Sequence, residues 1–315
     1  VDVSLIGKYK FDENFNDFHI DKILDLDLVN KKAIKKTKIN VVIDAVNSTG
    51  GFMIPKLLKK LEVSYRKLYC EPNGIFPHNP EPLAENLSEI SSQVIRNGAN
   101  LGLVVDPDVD RLAIVCEDGS MFGEEYTLVS VADYILSKKR GSTVSNLSST
   151  RALKDITEKY GCNYFPSAVG EVNVVECMKT NNAVIGGEGN GGVILPDLHY
   201  GRDALVGIAL FLSLYAEKGL KASVLRDSYP QYYMKKNKVE LDDENKIQNV
   251  LDYLLLEYDY AHINKIDGVK FDFETGWVHV RRSNTEPIIR IYSEFNNKSD
   301  LEKFSKEFFN KINAF

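Results

Sequence analysis

The chain is short of the features that would place it in a membrane or an oxidising compartment. No apolar run approaches the roughly 18 residues that a membrane-crossing helix needs, and residues 1–7 do not have the form of a signal peptide. There are only four cysteines, Cys70, Cys116, Cys162 and Cys177, with no C-x-x-C pair and no zinc-finger spacing. Cys116 and Cys177 lie in apolar periodic segments, where small thiols are commonly buried. The four are read as reduced core residues of a cytoplasmic protein. Basic charge is also in short supply: 39 Lys and Arg against 45 Asp and Glu leave a net charge of −6. A general nucleic-acid binder needs a basic stripe, which this balance argues against. A local arginine cluster is still enough to hold a small anion. There is no P-loop Lys-Ser/Thr, no internal repeat in the sequence and no low-complexity tract.

What is present is ordinary globular material, 43% hydrophobic and 27% charged over 315 residues. That length predicts two or three domains rather than one core. The first 38 residues are polar and mixed. Residues 21–29 hold apolar side chains at helical spacing, and residues 31–38 read as a lysine-rich solvated stretch. Beyond them short β-branched runs (39–43, 101–105, 112–115, 143–147, 183–185) alternate with helical patterns (52–61, 127–137, 152–160, 172–178, 204–217). Such alternation implies parallel α/β units. After Pro230 the pattern changes. Residues 270–273 and 277–280 flank Glu274-Thr275-Gly276 as a hairpin signal, and a strand at 288–292 precedes a helix at 301–312. This predicts a separate α+β domain, with boundaries near 120 and 231.

Three loops carry chemistry. The first, Asp106-Pro107-Asp108-Val109-Asp110-Arg111, follows an apolar strand. Three carboxylates so close repel one another, and a hard cation with oxygen ligands relieves the cost. Mg²⁺ beside a phosphoryl group suits the set. An EF-hand also begins D-x-D-x-D and ends on Glu, as Glu117 would, but Arg111 stands where that loop requires Gly. The second loop runs Gly186-Gly187-Glu188-Gly189-Asn190-Gly191-Gly192. Its glycines permit close approach of a ligand, and Glu188 and Asn190 suit vicinal sugar hydroxyls. A plain glycine-rich turn explains it equally well. In the third, Arg281-Arg282-Ser283-Asn284-Thr285-Glu286-Pro287, guanidinium, hydroxyl, amide and backbone donors crowd together, as a phosphate dianion requires. His78, in Phe76-Pro77-His78-Asn79-Pro80, reads as a surface residue, and His199 and His262 receive no role.

Taken together and in this order, the three loops resemble the α-D-phosphohexomutase superfamily, which includes phosphoglucomutase, phosphomannomutase and phosphoglucosamine mutase. The resemblance covers nearly the whole chain, and residues 71–82 resemble the family's second-domain loop. It implies two related three-layer α/β domains, here 1–119 and 120–231, and a C-terminal TATA-binding-protein-like α+β domain, 232–315. It implies phosphoryl transfer between C6 and C1 of a sugar phosphate through a phosphoserine and a sugar bisphosphate, with Mg²⁺ as cofactor and no nucleic acid or membrane partner. Carried over by position, Asp106, Asp108 and Asp110 are metal ligands and Arg111 is their charge-stabilising neighbour. Glu188 and Asn190 contact the sugar. Arg281, Ser283, Asn284 and Thr285 bind the non-transferring phosphate, and Arg290 supports that loop.

The chain departs from the family pattern in three ways. The serine loop, of the Thr-Ala-Ser-His-Asn-Pro type, is missing; the chain starts at Val1, and a fragment without domain 1 and without turnover is expected. Pro107 replaces the usual Gly of the metal loop. Asn190 and Gly192 replace Ser and His, a pattern closer to archaeal-type phosphoglucosamine mutases. One alternative is a non-catalytic sugar-phosphate-binding protein derived from the family. A phosphatase of the D-x-D kind fits less well, because it leaves the second and third loops unexplained.

Overall fold

The computed structural model describes residues 2, 6–10, 12, 14–240, 244–283 and 288–314, leaving aside the side chains of residues 244 and 245. In chain order the first part comprises α1 (Phe15–Leu24), α2 (Lys31–Thr37), β1 (Asn40–Asp44), α3 (Gly50–Lys60), β2 (Ser64–Leu68), α4 (Ser88–Arg96), β3 (Leu101–Val105) and β4 (Leu112–Cys116). The second comprises α5 (Glu124–Lys138), β5 (Thr143–Asn146), α6 (Ala152–Lys159), β6 (Tyr164–Ser167), α7 (Glu171–Thr180), β7 (Ile185–Glu188), β8 (Gly192–Ile194), α8 (Ala204–Lys218) and α9 (Ala222–Asp227). The third comprises β9 (Tyr233–Glu240), α10 (Glu244–Glu257), β10 (His262–Asn264), β11 (Val269–Asp272), β12 (Gly276–Arg282), β13 (Ile288–Phe295) and α11 (Lys298–Asn313).

The first two parts repeat one topology. Their sheets run β2-β1-β3-β4 and β6-β5-β7-β8. In each, the first three strands are parallel and the fourth turns back antiparallel on the third. The return loop of the first sheet is the aspartate loop, and that of the second is the glycine–glutamate loop. The two loops are structural counterparts although their sequences show no repeat.

Strand alternation explains the layers. Val41 and Ile43 of β1, with Leu103 and Val105 of β3, face one large core, while Val42 and Val104 face a smaller one under α4. Ile185 and Val193 of the second sheet face the same large core, and Val144 and Ile194 face a smaller one under α7. The two α/β parts therefore share a central helical layer. Helix α8 is apolar on nearly every face because it packs against α1, α2, α3 and α5. Asp203 caps its start by accepting from Leu205 N and Val206 N, and Gly219 ends it in the left-handed conformation. Phe122 meets Phe211, midway along it, and Tyr229 edge to face.

The third part has its own core, in which Tyr258 stacks on Phe308 beneath the antiparallel sheet β10-β11-β12-β13-β9. It docks on the second part through polar groups. Arg151 Nη2 donates to Asp272 Oδ1 (3.0 Å) and to the carbonyls of Phe273 (3.1 Å) and Gly276 (2.7 Å). Lys270 Nζ donates to Leu147 O (2.9 Å), and Val169 N to Asp267 Oδ2 (3.0 Å).

Some local expectations are revised. Residues 31–38 are not a plain solvated stretch: α2 forms there because Asn30 Oδ1 accepts from Ala33 N and Ile34 is fully buried. The strand expected at 183–185 lies at Ile185–Glu188, so the first glycines belong to a strand. β2 and α4 carried no expectation; β2 is an exposed edge strand with few apolar residues. The cysteines are free thiols. Burial pushes Cys116 up to about 12 and Cys70 up to about 11, which keeps both protonated. Cys177 is only partly buried.

Candidate active site

The aspartate loop curls on itself. Asp106, at the end of β3, is 4% exposed, and its Oδ1 accepts from Asp110 N (3.1 Å) and Arg111 N (3.0 Å). Closing that turn puts Val109 at φ 62°, a region β-branched residues rarely enter. The Pro107 carbonyl is braced from outside by the hydroxyls of Ser48 (2.8 Å) and Thr49 (2.7 Å). The curl brings one carboxylate oxygen from each of Asp106, Asp108 and Asp110 within 4.8 Å of the others. Arg111 Nε lies 3.3 Å from Asp106 and 3.6 Å from Asp110. Burial, opposed by the Arg111 N–H and reinforced by Asp110, pushes Asp106 up to about 7. Asp110 Oδ1 is buried with no hydrogen-bond partner among the described residues. Three converging carboxylates with an orphaned oxygen fit a hard divalent cation.

The glycine–glutamate loop is a hairpin tip between β7 and β8. Glu188 is 5% exposed; its Oε1 accepts from Asn146 Nδ2 (2.7 Å) and its Oε2 from Arg202 Nη1 (2.6 Å). Gly191 has φ +91°, and a Cβ there would strike the backbone of Leu112. The close approach is structural: Leu112 N donates to Gly191 O (3.0 Å), and Arg111 bridges to Gly192. At Gly189 a Cβ would overlap the Glu125 carboxylate. Gly191 thus lets the two counterpart loops touch, and Gly189 makes room for Glu125 of α5, requirements the turn composition alone did not express. Glu125 is itself buried and pushed up to about 8, with Lys236 3.6 Å away.

Arg202, which no motif in the sequence singles out, ties these loops together. One side of its guanidinium donates to Glu188, the other to Asp110, and its Nε lies 3.3 Å from Glu171. Its side chain is 14% exposed. The available signal was an Arg directly before an Asp cap, which is not distinctive.

On the third part, Arg281 and Arg290 are directly opposed across β12 and β13, and Lys238 of β9 stands opposite Arg290. A row of like charges on one sheet face is unfavourable unless an anion shares it. Lys238 joins the set only through strand pairing, which no sequence spacing reveals. Arg281 Nε is buried without a hydrogen-bond partner among the described residues. Ser283 is buried, and its N donates to Ile288 O (2.9 Å). Asn284 and Thr285 lie outside the described residues. Arg281 lines a cleft of about 170 Å³ together with Glu188, Asn190, Lys236 and Tyr292. The structure thus brings Glu188, Asn190 and Arg281 to one cleft, and Arg202 links Glu188 to the aspartates. Arg290 lies next to Arg281 in the sheet. His78 is anchored rather than free: Nε2 lies 3.1 Å from buried Asp44 and Nδ1 2.7 Å from Asn79 O.

Three models of the phosphoglucomutase/phosphomannomutase family match this chain in order. They are α/β/α domain II over residues 17–119, α/β/α domain III over 123–233 and the C-terminal domain over 234–311. The phosphoglucomutase/phosphomannomutase of Thermococcus kodakarensis is 36% identical over 278 residues, covering 88% of this chain and 61% of the relative. A probable phosphoglucosamine mutase of Methanosarcina barkeri is 31% identical over 310 residues, covering 96% and 69%. The chain therefore spans less than two thirds of the Thermococcus relative. A crystal structure of a phosphoglucomutase/phosphomannomutase family protein from Burkholderia thailandensis superposes with a TM-score of 0.82 at 25% identity, over 95% of this chain and 64% of that one. The Aspergillus fumigatus N-acetylphosphoglucosamine mutase, solved in complex with GlcNAc-6P and magnesium, shares the fold at 15% identity and a TM-score of 0.66, over 98% of this chain and 72% of that one.

Proposed function

The chain belongs to the phosphoglucomutase/phosphomannomutase family, and from that premise we propose that it binds a hexose or hexosamine phosphate for phosphoryl transfer between C6 and C1. The observation that carries this reading is the cleft where Glu188 and Asn190 face Arg281, with Arg202 joining Glu188 to the aspartates. Phosphoryl transfer rests mainly on positioning and charge neutralisation, and these residues supply both. Asp106, Asp108 and Asp110 would hold Mg²⁺, which neutralises charge on the transferring phosphoryl group when bound. Arg111 balances the carboxylates. Glu188 and Asn190 orient vicinal sugar hydroxyls. Arg281, Ser283, Asn284 and Thr285 hold the phosphate that stays on the sugar, Arg290 supports that loop, and Lys238 opposite it adds positive charge on the same sheet. An amino-sugar, glucose or mannose phosphate fits this equipment.

A phosphoserine reaction needs a nucleophile. None of the 315 residues forms a Thr-Ala-Ser-His-Asn-Pro type loop, so the chain by itself is expected to bind without turnover. The test is calorimetric titration of glucosamine 6-phosphate, glucose 6-phosphate and mannose 6-phosphate onto this chain with Mg²⁺, beside a coupled mutase assay of the same sample. We expect saturable binding of at least one sugar, weakened about tenfold or more by Arg281→Ala, and no turnover. Turnover by this chain would sink the assignment of the nucleophile elsewhere. Failure of all three sugars to bind would sink the sugar-phosphate reading.

A further inference from the structure

Away from the cleft, three side chains from separate segments meet at the seam between the two α/β parts. His19 lies on α1, His199 on the turn after β8, and Asp203 at the start of α8. His19 Nε2 is 2.8 Å and His199 Nε2 3.1 Å from the same oxygen, Asp203 Oδ2. One ligand atom from each of the three side chains lies within 4.8 Å of the others. We infer that this triad is a binding site for a borderline divalent transition metal of the zinc class.

Ligand atoms of a tetrahedral centre with bonds of ~2 Å lie about 3.3 Å apart, so an ion would require shifts of only tenths of an ångström in the two N···O pairs, with the imidazoles turning from Asp203 to bring their nitrogens to the same spacing. The set is pre-arranged. Asp203 is 5% exposed, and its Oδ1 is held by Leu205 N (2.7 Å) and Val206 N (3.2 Å), which aims Oδ2 at the imidazoles. The turn carrying His199 is tied by bonds from Leu198 N and His199 N to Leu195 O, and from Asp203 N to Val193 O. The His19 and His199 side chains are 25% and 41% exposed, which leaves an entry path and room for a water as the fourth ligand. In each neutral ring the proton moves to Nδ1 and the Nε2 lone pair is given to the metal. Two imidazoles and one carboxylate select Zn²⁺ or its neighbours over Mg²⁺, the reverse of the three-aspartate loop. Occupancy would staple α1 to α8 and stiffen the turn bearing Arg202, which holds Asp110 and Glu188.

The experiment is a titration of tag-free protein with Co²⁺ in excess Mg²⁺, followed by visible absorption and calorimetry. The expected result is one Co²⁺ per chain with a dissociation constant of about 10 μM or tighter. Both His199→Gln and His19→Gln should weaken it at least about tenfold, while Asp108→Asn leaves it intact; circular dichroism checks that each variant is folded. No saturation below about 1 mM, binding unaltered in both histidine variants, or binding lost in Asp108→Asn would each overturn the assignment.

Discussion

At the scale of single residues, Arg202 carries the most consequence. Its charge is shared by Asp110, Glu188 and Glu171 in a setting that is only 14% exposed. Removing one partner of a buried ionic network strands the others. Arg202→Ala is therefore expected to lower stability by on the order of 3 kcal/mol in metal-free buffer, read from the midpoint of chemical denaturation. A loss below about 0.5 kcal/mol would mean that water already solvates these carboxylates. The aspartates themselves were legible from sequence because they alternate over a few positions beside a strand. Arg202 and Lys238 were not, since each reaches its partners across long loops or through strand register.

At the scale of elements, the long apolar helices and buried strands were readable because burial leaves a periodic trace: α5, α8, β1, β3 and β4 lie where their patterns predict them. Elements with thin apolar content, such as β2 and α2, were not, because their places come from pairing with β1 and packing on α8. Caps contribute where packing is light. Asn297 opens α11 by accepting from Asp300 N at 2.8 Å, while its own amide donates to Asp300 Oδ2. Asn297→Ala should cost about 1 kcal/mol, seen as a lowered thermal midpoint. An unchanged midpoint would show that α11 is held by its buried face, Leu301, Phe308 and Ile312, alone.

At the scale of the whole molecule, the junction of the second and third parts holds a histidine whose charge it does not accommodate. His279 Nε2 donates to Asp267 O (2.7 Å), so Nδ1 accepts from Ser148 Oγ (2.9 Å), which describes a neutral ring. Burial pushes its pKa down to about 4, against the Asp267 carbonyl and with help from Lys270 and Arg281. Between pH 6.5 and 4 the unfolded chain binds a proton that the native chain refuses. Stability therefore rises with pH across that window and is lost on acidification, by at most about 3 kcal/mol from this group. The thermal midpoint of the wild-type chain should fall more steeply from pH 6.5 to 4 than that of His279→Gln. Parallel profiles would place the acid sensitivity elsewhere.

The sequence by itself determined the class of the fold, the change of architecture after Pro230 and the three polar loops. Those properties are local: hydrophobic period, turn chemistry and the density of like groups are written over a few consecutive residues. Tertiary structure alone decided that the two α/β parts share one helical layer and that their return loops are counterparts touching through Gly191. It also decided that Arg202, Lys238 and the His19–His199–Asp203 triad meet partners far away in the chain. Such convergence depends on strand order and helix packing, and side chains separated by up to 184 positions leave no mark of it in any sequence window.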